Sequence, residues 1–355
     1  MQETINQPGQ VSPEWLTKKL QDNGYLSNGH VVDIEYDVIG TGKMGDNARF
    51  RISYNTEEGK APATLIGKFP AQDETARMMA GAQGAYYSEV MFYRHLAART
   101  AMRTPTIYAS EIANNRSDFV LLMEDMSPAQ PGSQLRGEPL AHARLVMQQA
   151  AKLASAFYGD ESIGALDHVM TMVRDDGGAF GGELLTQEWP KFRERFGEQI
   201  SAECLAFAEQ YVQQHLRFVN RYKGPKTLVH GDLRSENILF HGSTACTVDW
   251  QTVSESSPLT DFAYFMGGSV DVGDRRAWER DLVEEYCEEL ARLGVKIAPG
   301  DCWNLYREQA MHGLMITILG ACFSAPAERS DAMFLAMIQR HLQHCVDLDA
   351  AEFLN

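Results

Sequence analysis

Residues 228–240 read LVHGDLRSENILF, and the fold turns on how they are read. Leu228 and Val229 lead into His230, Gly231 and Asp232, four residues separate Asp232 from Asn237, and Ile238, Leu239 and Phe240 come immediately after. Polar side chains at fixed offsets between two strand-like apolar runs belong to a loop held by rigid walls, where chemistry tends to lie. Twelve residues beyond Asn237, a second apolar run reaches Asp249 in CTVDWQ. A tight strand pair thus presents two carboxylates and one amide. A hard divalent cation such as Mg²⁺ takes oxygen ligands, one or two from protein and the rest from phosphates and water. Asp249 and the amide oxygen of Asn237 meet that need, which leaves Asp232 to accept a proton from an attacking hydroxyl.

The spacing His-x-Asp-x-x-x-x-Asn, then a strand and Asp, resembles the catalytic loop and metal-binding Asp of the protein-kinase-like superfamily. With glycine in the middle of HGD it is similar to the small-molecule branch: aminoglycoside phosphotransferases, choline kinases and the ecdysteroid-kinase-like group. The resemblance extends from about Ile39 to about Phe265. GDNARFRI, EVMFYRHL, LLMEDM and DWQ look most like the ecdysteroid-kinase-like and choline-kinase-like members, while HGDLRSEN suits the aminoglycoside branch equally. The implied fold is α+β with two lobes. A small antiparallel-sheet lobe with one long helix would occupy 1–126, and a larger, mostly helical lobe with the catalytic loop and acceptor pocket 127–355. The implied activity is ATP- and Mg²⁺-dependent transfer of the γ-phosphoryl group to a hydroxyl of a small molecule. A catalytically silent nucleotide-binding scaffold is the alternative; such domains usually break the set of Lys, Asp, Asn and Asp, and all four are present.

A nucleotide clamp should then lie upstream. In IGTGKMGDNARFRI, Gly40, Gly42 and Gly45 keep G-x-G-x-x-G spacing. The residues after these glycines are strand-like, which disfavours a dinucleotide-binding loop, and Met44 after Lys43 excludes a Walker A loop. Lys68 ends the apolar run of LIGKFP, and Glu89 comes 21 residues later in YYSEVMFYRHL. Taken alone, each is an ordinary surface side chain. By resemblance, Lys68 holds the α- and β-phosphates, Glu89 orients it, Glu124 to Met126 line the adenine slot through backbone groups, and Asp261 braces the catalytic loop. Two departures stand out. Arg49 occupies a position where these families often carry a small or hydroxyl residue, and Gln251 replaces the glycine of D-F-G. His230 reads as a backbone-bonding residue and Trp250 as packing.

The region 31–69 alternates apolar and polar residues as in a meander, 76–98 is helical in period, and DFVLLMEDM at 118–126 is a further strand. After the Pro-, Gly- and Ser-rich stretch 127–139 the chain reads as helices over 140–158, 188–222, 274–293 and from 302 onward. Only 11 residues separate Asp249 from Asp261, with no A-P-E signature, which argues against a protein substrate.

Composition narrows the partners. A hydrophobic content of 44% supplies a full core, and 32 basic against 48 acidic side chains give a net charge of -16, the wrong sign for gripping nucleic acid. Six cysteines lack C-x-x-C spacing and read as reduced thiols. MQETINQPGQVSPEWL has no secretory pattern, and GLMITILGACF is too short to span a bilayer, so a soluble cytoplasmic protein is expected. The histidines His312, His341 and His344 lack further ligands at a metal-binding spacing. Aromatic and aliphatic residues around Trp278, Trp303, Tyr306 and 311–323 hint at an apolar or amphipathic acceptor. The oligomeric state stays open.

Overall fold

The structure, a computed structural model, describes residues 4–40, 45–56, 58–170 and 178–355. The chain clusters into two compact units. One comprises 1–99, 104–128 and 248–252; the other comprises 100–103, 129–247 and 253–355.

In the first unit, α1 (Pro13–Asp22) starts on Ser12, whose side chain accepts the Trp15 N–H at 3.2 Å, with Pro13 at the first helical position where its missing N–H costs nothing. Leu16 and Leu20, four apart, are its buried face. A short pair, β1 (Leu26–Asn28) with β4 (Glu58–Gly59), flanks an antiparallel five-stranded sheet. That sheet contains β2 (Val31–Ile39), β3 (Asp46–Tyr54), β5 (Thr64–Phe69), β6 (Ile107–Ile112) and β7 (Phe119–Glu124), in the order β2-β3-β5-β7-β6. Alternation decides its faces. Ala48, Phe50 and Ile52 of β3 enter the core with Leu65, Val120 and Leu122. The intervening row Asn47, Lys68 and Leu121, in direct cross-strand register, lies on the opposite face.

The helical period over 76–98 resolves into pieces: α2 (Glu74–Ala82), α3 (Ala85–Met91), a π-helical turn Phe92–Leu96 and a 3₁₀ turn Ala97–Arg99. Gly84 at φ +77° causes the break, since a left-handed residue cannot continue an α-helix.

The second unit is mostly helical: α4 (Leu140–Phe157), α5 (Ala179–Phe196), α6 (Ala202–Arg221), α7 (Thr260–Ser269), α8 (Val272–Arg292), α9 (Pro299–Gln309), α10 (His312–Phe323) and α11 (Glu328–Asp347). The helix expected over 188–222 is two helices, because Ser201 caps α6 by accepting the Cys204 N–H. The first of them starts at Ala179 and carries Pro190 inside it. Two small sheets complete the unit. In one, β10 (Ile238–His241) pairs with β11 (Thr244–Thr247) and with β8 (Gln130–Pro131); in the other, β9 (Thr227–Val229) pairs with β12 (Ser254–Ser256). Across the described residues, no helix is long and apolar enough to cross a membrane.

The acidic stretch of α8 faces solvent except for Glu279, which is buried against Arg275 at 2.8 Å and Tyr306 at 3.1 Å. His215, His312, His341 and His344 are also buried in this unit, and burial holds each below the ordinary histidine value, His215 at about 4. Because the folded values are depressed, the unfolded chain takes up protons first as pH falls. Stability should be full above about pH 6.5 and decline towards pH 4, so the thermal midpoint measured across that window should drop steadily on acidification.

Candidate active site

Lys68, one residue before the end of β5, lies on the face away from the core, yet it is only 8% exposed. Its ammonium lies 2.7 Å from a Glu89 carboxylate oxygen and 2.9 Å from Asp249 Oδ1. Burial works against the charge on Lys68, but Asp249 and Glu89 outweigh it and hold the amine above its ordinary pKa. Glu89, 1% exposed, is pushed up by burial, with Lys68 pulling the other way. Asp249 sits at φ +67°, a left-handed conformation that persists only where surroundings impose it. Next to it, Trp250 is fully buried and stacks on Phe92 with ring centroids 3.6 Å apart, so the side chain is packing. That stack, at the start of the π-helical turn, anchors 248–252 in the first unit.

In the second unit the loop 230–237 is unusually buried for a loop. Both oxygens of Asp261, on the first turn of α7, accept backbone N–H groups, from His230 at 2.7 Å and from Gly231 at 3.0 Å. His230 Nδ1 accepts the Asp232 N–H at 3.2 Å, a backbone role. Asn237 Nδ2 donates to the Asp232 carbonyl at 2.9 Å and to its Oδ2 at 3.0 Å. Arg234 Nε donates to the same Oδ2 at 3.2 Å, and the Tyr264 hydroxyl donates to Oδ1 at 2.6 Å. Burial pushes Asp261 up, against the pull of His230 and the two N–H bonds.

Of the glycines expected in the clamp, Gly42 lies outside the described residues. Gly40 follows β2 at φ +73° with open space around it. Gly45 packs so closely on β5 that a Cβ there would come 2.8 Å from the Phe69 carbonyl oxygen, which brings the start of β3 against the Lys68 strand. Arg49 lies on β3 with its guanidinium committed, 2.9 Å from Asp125 Oδ2 and 2.7 Å from Ser127 Oγ. Glu124 is bound to Thr106 twice, its N–H donating to the Thr106 carbonyl at 2.8 Å and its side chain accepting the Thr106 N–H at 3.0 Å. Met126, two residues on, is half-buried.

Lys68, Glu89 and Asp249 therefore meet, Asn237 bonds Asp232, and Asp261 holds the backbone of the two residues before Asp232. Tyr264 and Gln134 escaped the sequence reading. Tyr264 had a usable signal, since it lies three residues after Asp261 on one helix and shares its face. Gln134, which accepts the Ser235 N–H at 3.2 Å and donates to the Gly268 carbonyl at 2.6 Å, had none.

This architecture is kinase-like. The chain superposes on a candidate aminoglycoside phosphotransferase from Ralstonia eutropha with a TM-score of 0.57 at 14% identity, covering 94% of this chain and 98% of that one. It superposes on choline kinase from Cryptosporidium parvum with a TM-score of 0.56 at 12% identity, covering 90% and 91%. Residues 44–297 match the Ecdysteroid kinase-like family, and the chain belongs to that family. It is also 30% identical over 135 residues to mouse Acyl-CoA dehydrogenase family member 10, a match spanning 34% of this chain and 12% of that protein.

Replacing Asp261 with Ala orphans two buried N–H groups at about 1–3 kcal/mol each. Asp261→Ala should therefore lose roughly 2–4 kcal/mol of unfolding free energy in urea titration, after the relief of burying a charge is allowed for.

Proposed function

We propose that the protein is an ATP-dependent phosphotransferase that moves the γ-phosphoryl group to a hydroxyl of a small molecule. One observation carries this reading: a buried lysine ammonium held between a helix carboxylate and Asp249, in a chain whose HGD loop keeps Asp232 and Asn237. Lys68, pre-oriented by Glu89, would bind the α- and β-phosphates. Gly40, Gly42 and Gly45 would cover them. The Glu124 carbonyl and the Met126 backbone would meet the adenine edge.

The donor set suits Mg²⁺. Asn237 spends its Nδ2 on Asp232, which leaves its amide oxygen as the group that would serve as a ligand, and the Asp249 carboxylate is 42% exposed. Among the described residues no cluster of three or more His, Cys, Asp or Glu could hold a metal by itself, whereas Mg²⁺ bound with a nucleotide needs only one or two protein oxygens. When bound, the cation neutralises phosphate charge. Asp232 would orient the acceptor hydroxyl and take its proton as the new O–P bond forms.

For the acceptor, α10 supports an apolar or amphipathic alcohol. It begins at His312, hydrogen-bonded at 3.1 Å to the Gly231 carbonyl of the loop, and ends at Phe323, 60% exposed. An acceptor screen that returned only aminoglycosides would overturn that part. The six free cysteines of the chain fit a reducing cytoplasm.

Thermal unfolding with Mg²⁺ and a non-hydrolysable ATP analogue tests the whole. At about 100 times its Kd, a ligand adds roughly 2.7 kcal/mol of stability. Wild type should show a magnesium-dependent rise in midpoint that Asp249→Ala loses, and Asp232→Ala should keep that rise while losing turnover. The silent-scaffold reading predicts no turnover in wild type either.

A further inference from the structure

Asp232 is held at both carboxylate oxygens. Asn237 and Arg234 donate to Oδ2 at 3.0 and 3.2 Å, and among the described residues Tyr264 alone reaches Oδ1, at 2.6 Å. The two oxygens of a carboxylate turn together about its last bond, so Asn237 and Arg234 hold the group from the Oδ2 side while the tyrosine locks it from the Oδ1 side and occupies one of the Oδ1 lone pairs. We propose that Tyr264 is a positioning residue for Asp232, one that sets which Oδ1 lone pair faces the acceptor hydroxyl; this rests on the phosphotransfer reading above.

The surroundings of Tyr264 are built to hold its ring still. It is 1% exposed, His341 stacks on it with centroids 5.2 Å apart at 18°, and His312 meets it edge-on at 5.6 Å and 86°. The same His312 donates its Nε2–H to the Gly231 carbonyl, so one imidazole touches both the tyrosine and the loop that carries Asp232. His341 is fully buried, neither of its ring nitrogens has a hydrogen-bond partner among the described residues, and burial keeps the ring neutral. It serves as a flat wall. Three glycines clear the space for it: a Cβ at Gly313 would lie 2.2 Å from the ring, at Gly268 2.5 Å and at Gly267 2.8 Å. Two helices, α7 and α10, thus give up side chains so that an imidazole can back the tyrosine.

A purely structural tyrosine would satisfy its own hydroxyl and affect folding alone. A positioning tyrosine acts through Asp232, and its effect must disappear when Asp232 is gone. The reaction sends the acceptor's proton to Asp232 while the acceptor oxygen bonds to phosphorus and the bond to the ADP leaving group breaks. A misplaced base costs on the order of 100-fold in rate.

The experiment measures ADP release from MgATP, with water and a panel of primary and secondary alcohols as acceptors, for wild type, Tyr264→Phe, Asp232→Asn and the double variant. Tyr264→Phe should lower kcat by about 10- to 100-fold, with KM for ATP within about twofold of wild type. The double variant should be no slower than Asp232→Asn. Unfolding midpoints in parallel report the folding contribution. If Tyr264→Phe keeps wild-type kcat while Asp232→Asn is inactive, the role of Tyr264 is refuted and the base assignment stands. A further loss in the double variant beyond Asp232→Asn also refutes it. Wild-type turnover by Asp232→Asn, or no ADP release by wild type, overturns the phosphotransfer reading and this inference with it.

Discussion

A loop of polar residues is buried, and its backbone N–H groups need partners that water cannot supply. This constraint organises the second unit. His230 and Gly231 donate to Asp261, Asp232 to His230, Arg234 to the Asp232 carbonyl, and Ser235 to Gln134 and Ser269. The partners come from four places: the first turn of α7, the loop itself, the stretch before α4 and the end of α7. Once those bonds form, the loop has little freedom left. Its rigidity follows from the cost of an orphaned amide, and the exposed part of Asp232 inherits that rigidity.

The first unit solves the opposite problem, a buried cation. One ammonium faces two carboxylates, so the group carries a formal charge of minus one where burial makes any charge expensive. Asp249 carries the exposed share of the pair and Glu89 the buried share. Arg49, whose charge would otherwise crowd the same sheet face, is paired to Asp125; burial pushes that carboxyl up, but the Ser127 bonds and Arg49 outweigh it and leave it below its usual value. The departure at Arg49 therefore adds no unpaired charge on that face of β3.

Much of this was legible in the chain. Strands β2, β3 and β5 announce themselves by alternation, because a sheet with one face on a core must repeat every second residue, while β7 is a short continuous apolar run buried on both faces. Strand β6 gives neither signal: Ile107–Ile112 is half-buried on most of its residues and shows little contrast between faces. The break at Gly84 was hidden because apolar periodicity continues across it, and the period cannot register a single left-handed residue. Asp232, Asn237, Lys68, Glu89 and Asp249 stood out by spacing, and the fold pairs Lys68 with Glu89 and Asp249 and Asn237 with Asp232. Gln134 did not stand out, since an amide in a turn-rich stretch resembles any other.

By itself the sequence determined the class of fold, the alternation of the sheet, the helical majority after residue 139 and the residue types available for phosphoryl transfer. These follow from local rules of period, turn chemistry and motif spacing. Only the tertiary structure decided that Glu89 and Asp249 share one ammonium, that Asp261 spends both oxygens on one loop, and that Tyr264 rests against His341 over three glycines. Those contacts join residues up to 181 positions apart, and no local pattern encodes which of many carboxylates or aromatics the packing of a core will bring within 3 Å.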